Sequence, residues 1–171
     1  MADQTVVLIT GASSGVGQST ARLLAQKNYR VFGTSRNPAQ AEGIPGVEML
    51  PLDVRADDSV RACVAAVSSR GGRLDILINN AGHELAGALE ELSADEARAQ
   101  FETNFFGVVR MVNAVLPMMR RQKRGHIIMS VRSRACRRFR SWASIPPASL
   151  PWRATRKPYD MRSNHSIFTC R

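Results

Sequence analysis

The chain has 171 residues, 44% of them hydrophobic, which is enough to build one domain around a substantial core. Its formal net charge of +10 is unevenly distributed. Residues 1–130 contain 14 basic and 13 acidic residues, whereas residues 131–171 contain ten basic residues and a single acid, Asp160. The excess charge therefore belongs to the last segment and does not mark the first 130 residues as a nucleic-acid or membrane-surface domain.

Cysteine content and hydropathy argue against two other classes of protein. Cys63, Cys136 and Cys170 are odd in number and lack the close spacing of metal ligands, so neither a disulfide scaffold nor a metal site is expected. No apolar run approaches the roughly 20 residues of a membrane span, and no basic flank precedes the first apolar run. We therefore expect a cytoplasmic protein without a membrane span.

Buried strands and helices alternate along residues 1–130. The first strand is a continuous apolar and β-branched run that enters a Gly/Ser turn, as is typical of a parallel strand buried on both faces. The repeated alternation predicts an α/β domain with right-handed crossovers. Strands are predicted over Thr5–Thr10, Arg30–Ser35, Val47–Leu52, Leu74–Asn79 and His126–Ser130. Helices are predicted over Gly15–Lys27, Asp57–Ser69 and Ala94–Arg121.

The last predicted helix carries signals at both ends. Ser93 and Glu96 fit a capping box at its start, and four basic residues precede Gly125 at its end. After about Val131 neither the strand period nor the helix period holds for long, so no element is predicted in residues 131–171.

A glycine-rich turn joins the first strand to the first helix. Its glycines follow the spacing G-x-x-x-G-x-G, and the next helix offers unpaired N–H groups and a positive dipole end to a pyrophosphate. This position predicts a dinucleotide site, the alternative being a purely structural turn. The predicted contact residues are Gly11, Ser13, Ser14, Gly15, Val16 and Gly17.

The end of the second strand bears on the choice of cofactor. In a dinucleotide fold an acid there binds the free ribose 2′-hydroxyl, whereas an arginine accommodates a 2′-phosphate. The chain reads Gly33-Thr34-Ser35-Arg36-Asn37 and has no acid at this point. Ser35 and Arg36 therefore favour NADP(H) over NAD(H), the alternative being that Arg36 is an exposed loop cation.

Several motifs in this order resemble the short-chain dehydrogenase/reductase family. Thr10–Gly17 resembles its glycine motif, Leu52-Asp53-Val54 its adenine-contacting segment, and Asn79-Asn80-Ala81-Gly82 its N-N-A-G motif after the fourth strand. Asn104 matches the helix asparagine that holds a proton-relay water in the family. The resemblance implies that Asp53, Val54, Asn80, Ala81 and Gly82 contact the cofactor and that Asn104 is catalytic. The alternatives are a turn cap for Asp53, satisfied strand ends for Asn80 and a buried polar bridge for Asn104.

The motifs and elements together define the expected fold. Residues 1–130 should form a Rossmann-type NAD(P)-binding domain of the α/β class, a doubly wound parallel sheet with strand order 3-2-1-4-5. Residues 131–171 should form a basic, irregular tail. The sheet is then incomplete, with its fifth strand left as an exposed edge.

The reaction centre that the resemblance implies is missing from the chain as written. Family chemistry uses a tyrosine acid/base, a lysine four residues later that lowers its pKa, and a serine about thirteen residues earlier. A free phenol has a pKa near 10, so the neighbouring cation is chemically necessary. After Ser130 the only tyrosine, Tyr159, is followed at four residues by Ser163.

The genetic code offers a cause for this absence. Each residue fixes most of the first two bases of its codon, so the frame starting one base earlier can be partly reconstructed. Across Trp142–Ser149 that frame permits Met-Gly-Ile-Tyr-Ser-Ala-Ser-Lys, with tyrosine overlapping Ile145 and lysine overlapping Ser149. A serine codon is permitted across Val131 and Arg132. We interpret residues 131–171 as a frameshifted translation, the alternatives being a divergent tail or an altered chain.

The sequence therefore supports three functional hypotheses. The first is an oxidoreductase that transfers hydride between NADP(H) and a carbonyl or alcohol. Its substrate would be a small molecule, and the intact relative would be a homo-oligomer. The second is an inactive nucleotide-binding fragment that lacks the Tyr/Lys pair. The third is a nucleic-acid arm in Arg132–Arg140, which the frameshift explains without selection for charge.

Overall fold

A computed structural model describes residues 4–41, 43–85, 89–132 and 165–170. These residues form one six-stranded sheet in the order β3-β2-β1-β4-β5-β6. The strands are β1 (Val6–Ile9), β2 (Arg30–Ser35), β3 (Val47–Pro51), β4 (Ile76–Asn79), β5 (His126–Arg132) and β6 (His165–Cys170). The first five strands pair in parallel, which confirms the predicted α/β fold class and the order 3-2-1-4-5.

Helices connect the parallel strands and cover the sheet. The α-helices are α1 (Gly15–Gln26), α2 (Asp57–Gly71), α3 (Ala94–Phe101) and α4 (Gly107–Gln122). Short 3-10 turns lie at Pro38–Gln40 and Leu89–Glu91. No helix in the described residues combines the length and hydropathy that crossing a bilayer requires.

Side-chain alternation along the strands builds two separate cores. One face of β1 contributes Val7 and Ile9 to a cluster with Ala21 of α1. The other face contributes Leu8 to a larger cluster that includes Met111 and Val115 of α4. Because every residue of β1 is fully or almost fully buried, the strand is apolar throughout rather than alternating with polar residues, as a central parallel strand should be.

The predicted long helix Ala94–Arg121 is wrong in one respect, because it is interrupted. The capping box of Ser93 and Glu96 is present, but a π-helical segment, Glu102–Phe106, separates α3 from α4. A π-helical turn inserts an extra residue into the helical repeat and changes the direction of the side chains that follow. The interruption contains Asn104.

The expectation that β5 is an exposed edge is also wrong, because β6 pairs antiparallel with it over six residue pairs. An edge strand offers unpaired backbone groups, and the run HSIFTC of β6 is rich in residues that favour extended structure. The proposed tail boundary at residue 130 falls inside β5, which continues to Arg132. The residues between β5 and β6 lie outside the described part of the chain, as do Tyr159 and Ser163.

Candidate functional site

The glycine-rich turn is fastened to the end of β4 by a compact set of hydrogen bonds. Thr10 Oγ1 accepts from the backbone N–H groups of Asn80 and Ala81 at 3.0 and 2.9 Å. The Asn80 Nδ2 group donates to the carbonyl oxygens of Thr10 and Gly11 at 3.0 and 2.9 Å. The turn is therefore fixed before any ligand binds.

Two of the three glycines in this turn are required by close packing. A Cβ atom on Gly17 would lie 2.2 Å from the Gly11 carbonyl oxygen and 2.4 Å from Asn80 Nδ2. A Cβ atom on Gly11 would lie 2.9 Å from the Ala81 Cα atom, and Gly11 has a φ of +68°. Gly15 differs, because its φ of +58° demands glycine while a Cβ there would meet nothing within 4 Å. The space beside Gly15 is open.

The start of α1 has the properties of an anion site. Ser14 is the N-cap residue, but its side chain makes no capping hydrogen bond, and the first turn contains no acidic residue. The first N–H groups of a helix lack intrahelical partners, and the helix dipole is positive there. Gly15 and Val16 supply the first of these N–H groups and Ser13 precedes the cap, so the turn has the donors that suit the pyrophosphate of a dinucleotide.

The residues predicted for the adenosine end lie at the carboxyl ends of β2 and β3. Ser35 is buried, and its Oγ accepts from the Asn37 N–H at 3.1 Å. Arg36 is exposed and makes no hydrogen bond or ion pair with any residue that the structure describes. The adjacent strand pair brings Ser35 opposite Pro51, two residues before Asp53. The fold thus gathers Ser35, Arg36 and Asp53 at one edge of the sheet.

Asp53 is held by an arginine that the motif comparison did not single out. Arg55 Nη2 donates to Asp53 Oδ2 at 2.7 Å, and Arg55 Nε donates to both carboxylate oxygens. The hydrogen bonds from Arg55 lower the pKa of Asp53 to about 2, so its carboxylate is charged at neutral pH. Val54 is instead buried, with its Cγ2 atom 2.7 Å from where a Cβ on Gly107 would lie.

Asn104 connects the π-helical segment to the loop after β4. Its Oδ1 atom accepts from the His83 N–H at 3.0 Å, and its Nδ2 group donates to the His83 carbonyl oxygen at 2.8 Å. Gly82 leaves room for this contact, since a Cβ there would lie 3.0 Å from Asn104 Oδ1. The structure therefore brings Asn104 to the same end of the sheet as the Asn80–Gly82 turn.

The amide of Asn79 is buried and has no partner among the residues that the structure describes. The residue is only 4% exposed, and neither Oδ1 nor Nδ2 forms a hydrogen bond with any of them. Buried polar side chains in native structures are almost always hydrogen-bonded, and an unpaired one costs about 1–3 kcal/mol. The end of β4 thus contains polar capacity that the described residues leave unused.

Sequence reasoning missed the residues that hold the site together. Thr34 Oγ1 donates to the Ile9 carbonyl oxygen and accepts from the Gly11 N–H, both at 3.3 Å. Thr10, Thr34 and Arg55 all lie within or beside the motifs, but a single sequence does not reveal which polar side chains face the neighbouring strand. The register of β1 against β2 and β4 brings Thr10 and Thr34 to the glycine turn, whereas Arg55 reaches Asp53 within the turn after β3.

The fold and the site define a dinucleotide-binding α/β domain, with the glycine turn at the point where strand order reverses. Residues 5–147 match the family model for short chain dehydrogenase. The chain belongs to the short-chain dehydrogenase family. Members of the family bind nicotinamide cofactors. These cofactors are dinucleotides, the class of ligand that suits the glycine turn and the start of α1.

Comparison with individual proteins gives the same assignment. The chain is 51% identical over 123 residues to 3-ketodihydrosphingosine reductase of Bacteroides thetaiotaomicron. This alignment covers 72% of this chain and 45% of that protein. A short-chain dehydrogenase from Streptomyces avermitilis is 36% identical with a TM-score of 0.67, covering 71% of this chain and 47% of that one. Actinorhodin polyketide ketoreductase with NADPH is 34% identical with a TM-score of 0.66, covering 73% and 52%. The chain thus spans about half the length of the relatives it matches.

Gly17→Ala should disrupt the site, because the added methyl group meets the Gly11 carbonyl and the Asn80 amide. We expect the free energy of unfolding to fall by about 1–3 kcal/mol and dinucleotide binding to weaken, measured by urea titration and calorimetry. Gly43→Ala is the matched control, since a Cβ there meets nothing within 4 Å and stability should be unchanged or slightly raised. Parental binding by the Gly17 variant would contradict the packing argument.

Proposed function

We propose that the enzyme represented by this chain is an NADP(H)-dependent oxidoreductase that transfers hydride between a carbonyl and an alcohol. One arrangement carries the proposal: the uncapped start of α1 lies on the same sheet edge as the exposed Arg36, and no acid ends β2. The cofactor would supply or accept the hydride. By their names, the Bacteroides relative reduces a ketone and the polyketide enzyme binds NADPH while acting as a ketoreductase, which supports both parts of the proposal.

The proposed contacts divide the cofactor among three groups of residues. The pyrophosphate is assigned to the glycine turn: the N–H groups of Ser13, Ser14, Gly15, Val16 and Gly17 are the proposed donors, and Gly11, whose N–H donates to Thr34 Oγ1, allows the close approach of the backbone. The adenosine half is assigned to Ser35, Arg36, Asp53 and the backbone of Val54, and the nicotinamide half to Asn80, Ala81 and Gly82. Because Asn80 is occupied by the glycine turn, its proposed contribution is to fix that turn in its binding conformation.

Asn104 is the proposed member of the proton relay that this chain retains. Its amide already holds the His83 backbone, but an amide oxygen has two lone pairs and an amide nitrogen two hydrogens. A water molecule can therefore bind while the contact with His83 persists. The same side chain would then fix the loop after β4 and hold the relay water.

We also propose that this particular chain is catalytically inactive, because its frame changes near Val131. The absence of a Tyr-x-x-x-Lys pair, the arginine excess after that point and the unpaired amide of Asn79 support this view. The alignment with the Bacteroides relative leaves 28% of the chain unmatched, although the family model extends to residue 147. Residues 131–171 would then be an out-of-frame tail attached to a binding domain.

The inactive-fragment and nucleic-acid-arm hypotheses differ from this proposal. The first holds that the chain only binds a nucleotide and that no active longer form exists. The nucleic-acid arm proposed for Arg132–Arg140 lies almost entirely outside the described residues, and the contacts of its side chains carry no argument here. A cytoplasmic location stays a prediction.

Self-association of the intact enzyme is supported by an apolar face on the helices after Ser93. Phe101, Phe105, Phe106 and Val109 are between 41% and 62% exposed, and the two adjacent phenylalanine rings pack edge to face. Exposed apolar clusters of this kind mark interaction surfaces.

Sedimentation velocity of the frame-restored protein should show a dimer or a larger species. Phe105→Glu, which places a charge in the apolar face, should shift the protein toward monomer. A monomeric restored protein would reject the proposal.

Restoring the earlier frame from about Val131 should create NADPH-dependent ketone reduction that the present chain lacks. The restored tyrosine gains a neighbouring lysine that lowers its pKa toward neutrality, which acid/base catalysis requires. NADPH absorbance across a panel of ketones measures the difference, and sequencing the codons for Met129–Leu150 tests the cause directly. The control is a second version of the restored enzyme in which the tyrosine codon that overlaps Ile145 is replaced by a phenylalanine codon. This version should show no turnover. Comparable turnover by the present chain would contradict the proposed inactivity.

Arg36→Asp in the restored enzyme should shift its preference from NADPH toward NADH. The change removes the cation beside the proposed 2′-phosphate. It also introduces an acid at the position where, in NAD(H)-binding folds, an acid binds the free 2′-hydroxyl. The ratio of kcat/KM for the two cofactors is the measurement, and Arg22→Asp on the exposed side of α1 supplies the same charge change elsewhere. If the ratio is the same in both variants, Arg36 does not discriminate between the cofactors.

A further inference from the structure

The ends of β2 and β3 bring Arg36, Asp53 and Arg55 to one edge of the sheet, at the proposed adenosine end of the site. Asp53 Oδ1 accepts from Arg55 Nε at 3.0 Å, and Oδ2 accepts from Arg55 Nε at 3.2 Å and from Nη2 at 2.7 Å. Arg36 directly follows Ser35, whose carbonyl oxygen accepts from the Leu52 N–H at 2.9 Å, so Arg36 lies at the same edge of the sheet as Asp53, without a direct ion pair. The carboxylate of Asp53 thus has one paired guanidinium and a second cation at the same edge of the sheet.

The side-chain contacts of Arg55 are more than the local turn requires. The Arg55 N–H donates to Asp53 Oδ1 at 3.0 Å, and the Asp53 N–H donates to Ser59 Oγ at 2.9 Å, so backbone donors already hold the turn. The guanidinium and the carboxylate are 47% and 30% exposed, and a partly exposed pair contributes little to stability. The contact therefore needs an explanation other than folding.

The charge of Asp53 creates a conflict that Arg55 resolves. Asp53 is an anion at neutral pH, and the hydrogen bonds from Arg55 lower its pKa further, to about 2. Because Ser35 lies opposite Pro51 at this edge of the sheet, the Asp53 anion would also repel a dianion bound at Arg36. With Arg55 present the three side chains have a net charge of +1, and without it the charge of Asp53 would cancel that of Arg36.

We propose that Arg55 is a specificity-determining residue for the 2′-phosphate: it neutralises Asp53 and fixes its carboxylate, so that Asp53 can face the adenine without repelling the phosphate at Arg36. This inference rests on the proposed use of NADP(H). Arg55 touches neither the reacting atoms nor the phosphate, and it acts through Asp53. Glu102, the other acid that acts on Arg55, is itself paired with Arg110.

Two fragments of the cofactor test this role in the chain as it exists. Adenosine 2′,5′-bisphosphate and adenosine 5′-monophosphate differ only in the 2′-phosphate, and neither needs the nicotinamide half of the site. Calorimetry at low salt should show that Arg55→Ala weakens binding of the bisphosphate by roughly three- to tenfold, the size expected for one uncompensated charge near the 2′-phosphate in partly solvated protein. Binding of the monophosphate should change by less than about twofold, and added salt should reduce the difference.

Two further variants separate this effect from a general change in charge. Arg61→Ala removes an exposed guanidinium that pairs with Asp58 on α2, and it should leave both affinities unchanged. Asp53→Asn in the Arg55→Ala background removes the uncompensated anion and should restore the bisphosphate preference. Urea titration of each variant should show nearly parental stability, so that lost affinity is not lost folding.

Each outcome supports or overturns a specific statement. Equal weakening of the two fragments by Arg55→Ala, or a preference that it leaves intact, overturns the role of Arg55 while the proposed NADP(H) use stands. If the unmodified chain binds the two fragments equally or binds neither, the proposed use of NADP(H) fails, and the inference about Arg55 fails with it.

Discussion

The hydrogen bonds between Thr10 and the Asn80–Ala81 turn are the constraint on which the rest of the site depends. They join the ends of β1 and β4, which are neighbours in the sheet although about 70 residues separate the bonded groups along the chain. The space they leave is so small that Gly11 and Gly17 cannot carry side chains. Because the loop is ordered by folding, a ligand does not bear that entropic cost when it binds.

Charge follows the same edge of the sheet. Residues 1–130 are nearly neutral, yet the start of α1 and Arg36 present positive potential to one edge of the sheet, and the Asp53–Arg55 pair adds no net negative charge there. Several acids elsewhere pair with arginines, as Asp58 does with Arg61 in the same helix and Glu48 of β3 does with Arg30 of β2. A domain with little net charge can thus attract a polyanionic cofactor locally, because the arrangement of charges and not their sum determines the field.

The parallel sheet was predictable from the sequence because a buried strand must be apolar along its whole length, as Val6–Ile9 is. The glycine turn was predictable because its chemistry is local. The π-helical break at Glu102–Phe106 was not, since these residues carry neither proline nor glycine, and the extra residue in the turn depends on packing. The roles of Thr34 and Arg55 were also hidden, because both depend on contacts that the register or the turn creates after folding.

The residues proposed to bind the cofactor and the residues that the family uses for chemistry belong to different parts of this fold. The glycine turn and the adenosine end depend on β1 to β4, whereas the family's tyrosine and lysine would follow β5. In this chain β6 pairs antiparallel with β5 and uses the backbone groups that a further parallel strand would need. The two arrangements cannot occupy the same edge together. Under the proposed change of frame, the restored segment would compete with β6 for this edge, while the hydrogen bonds that fix the glycine turn between β1 and β4 do not involve it.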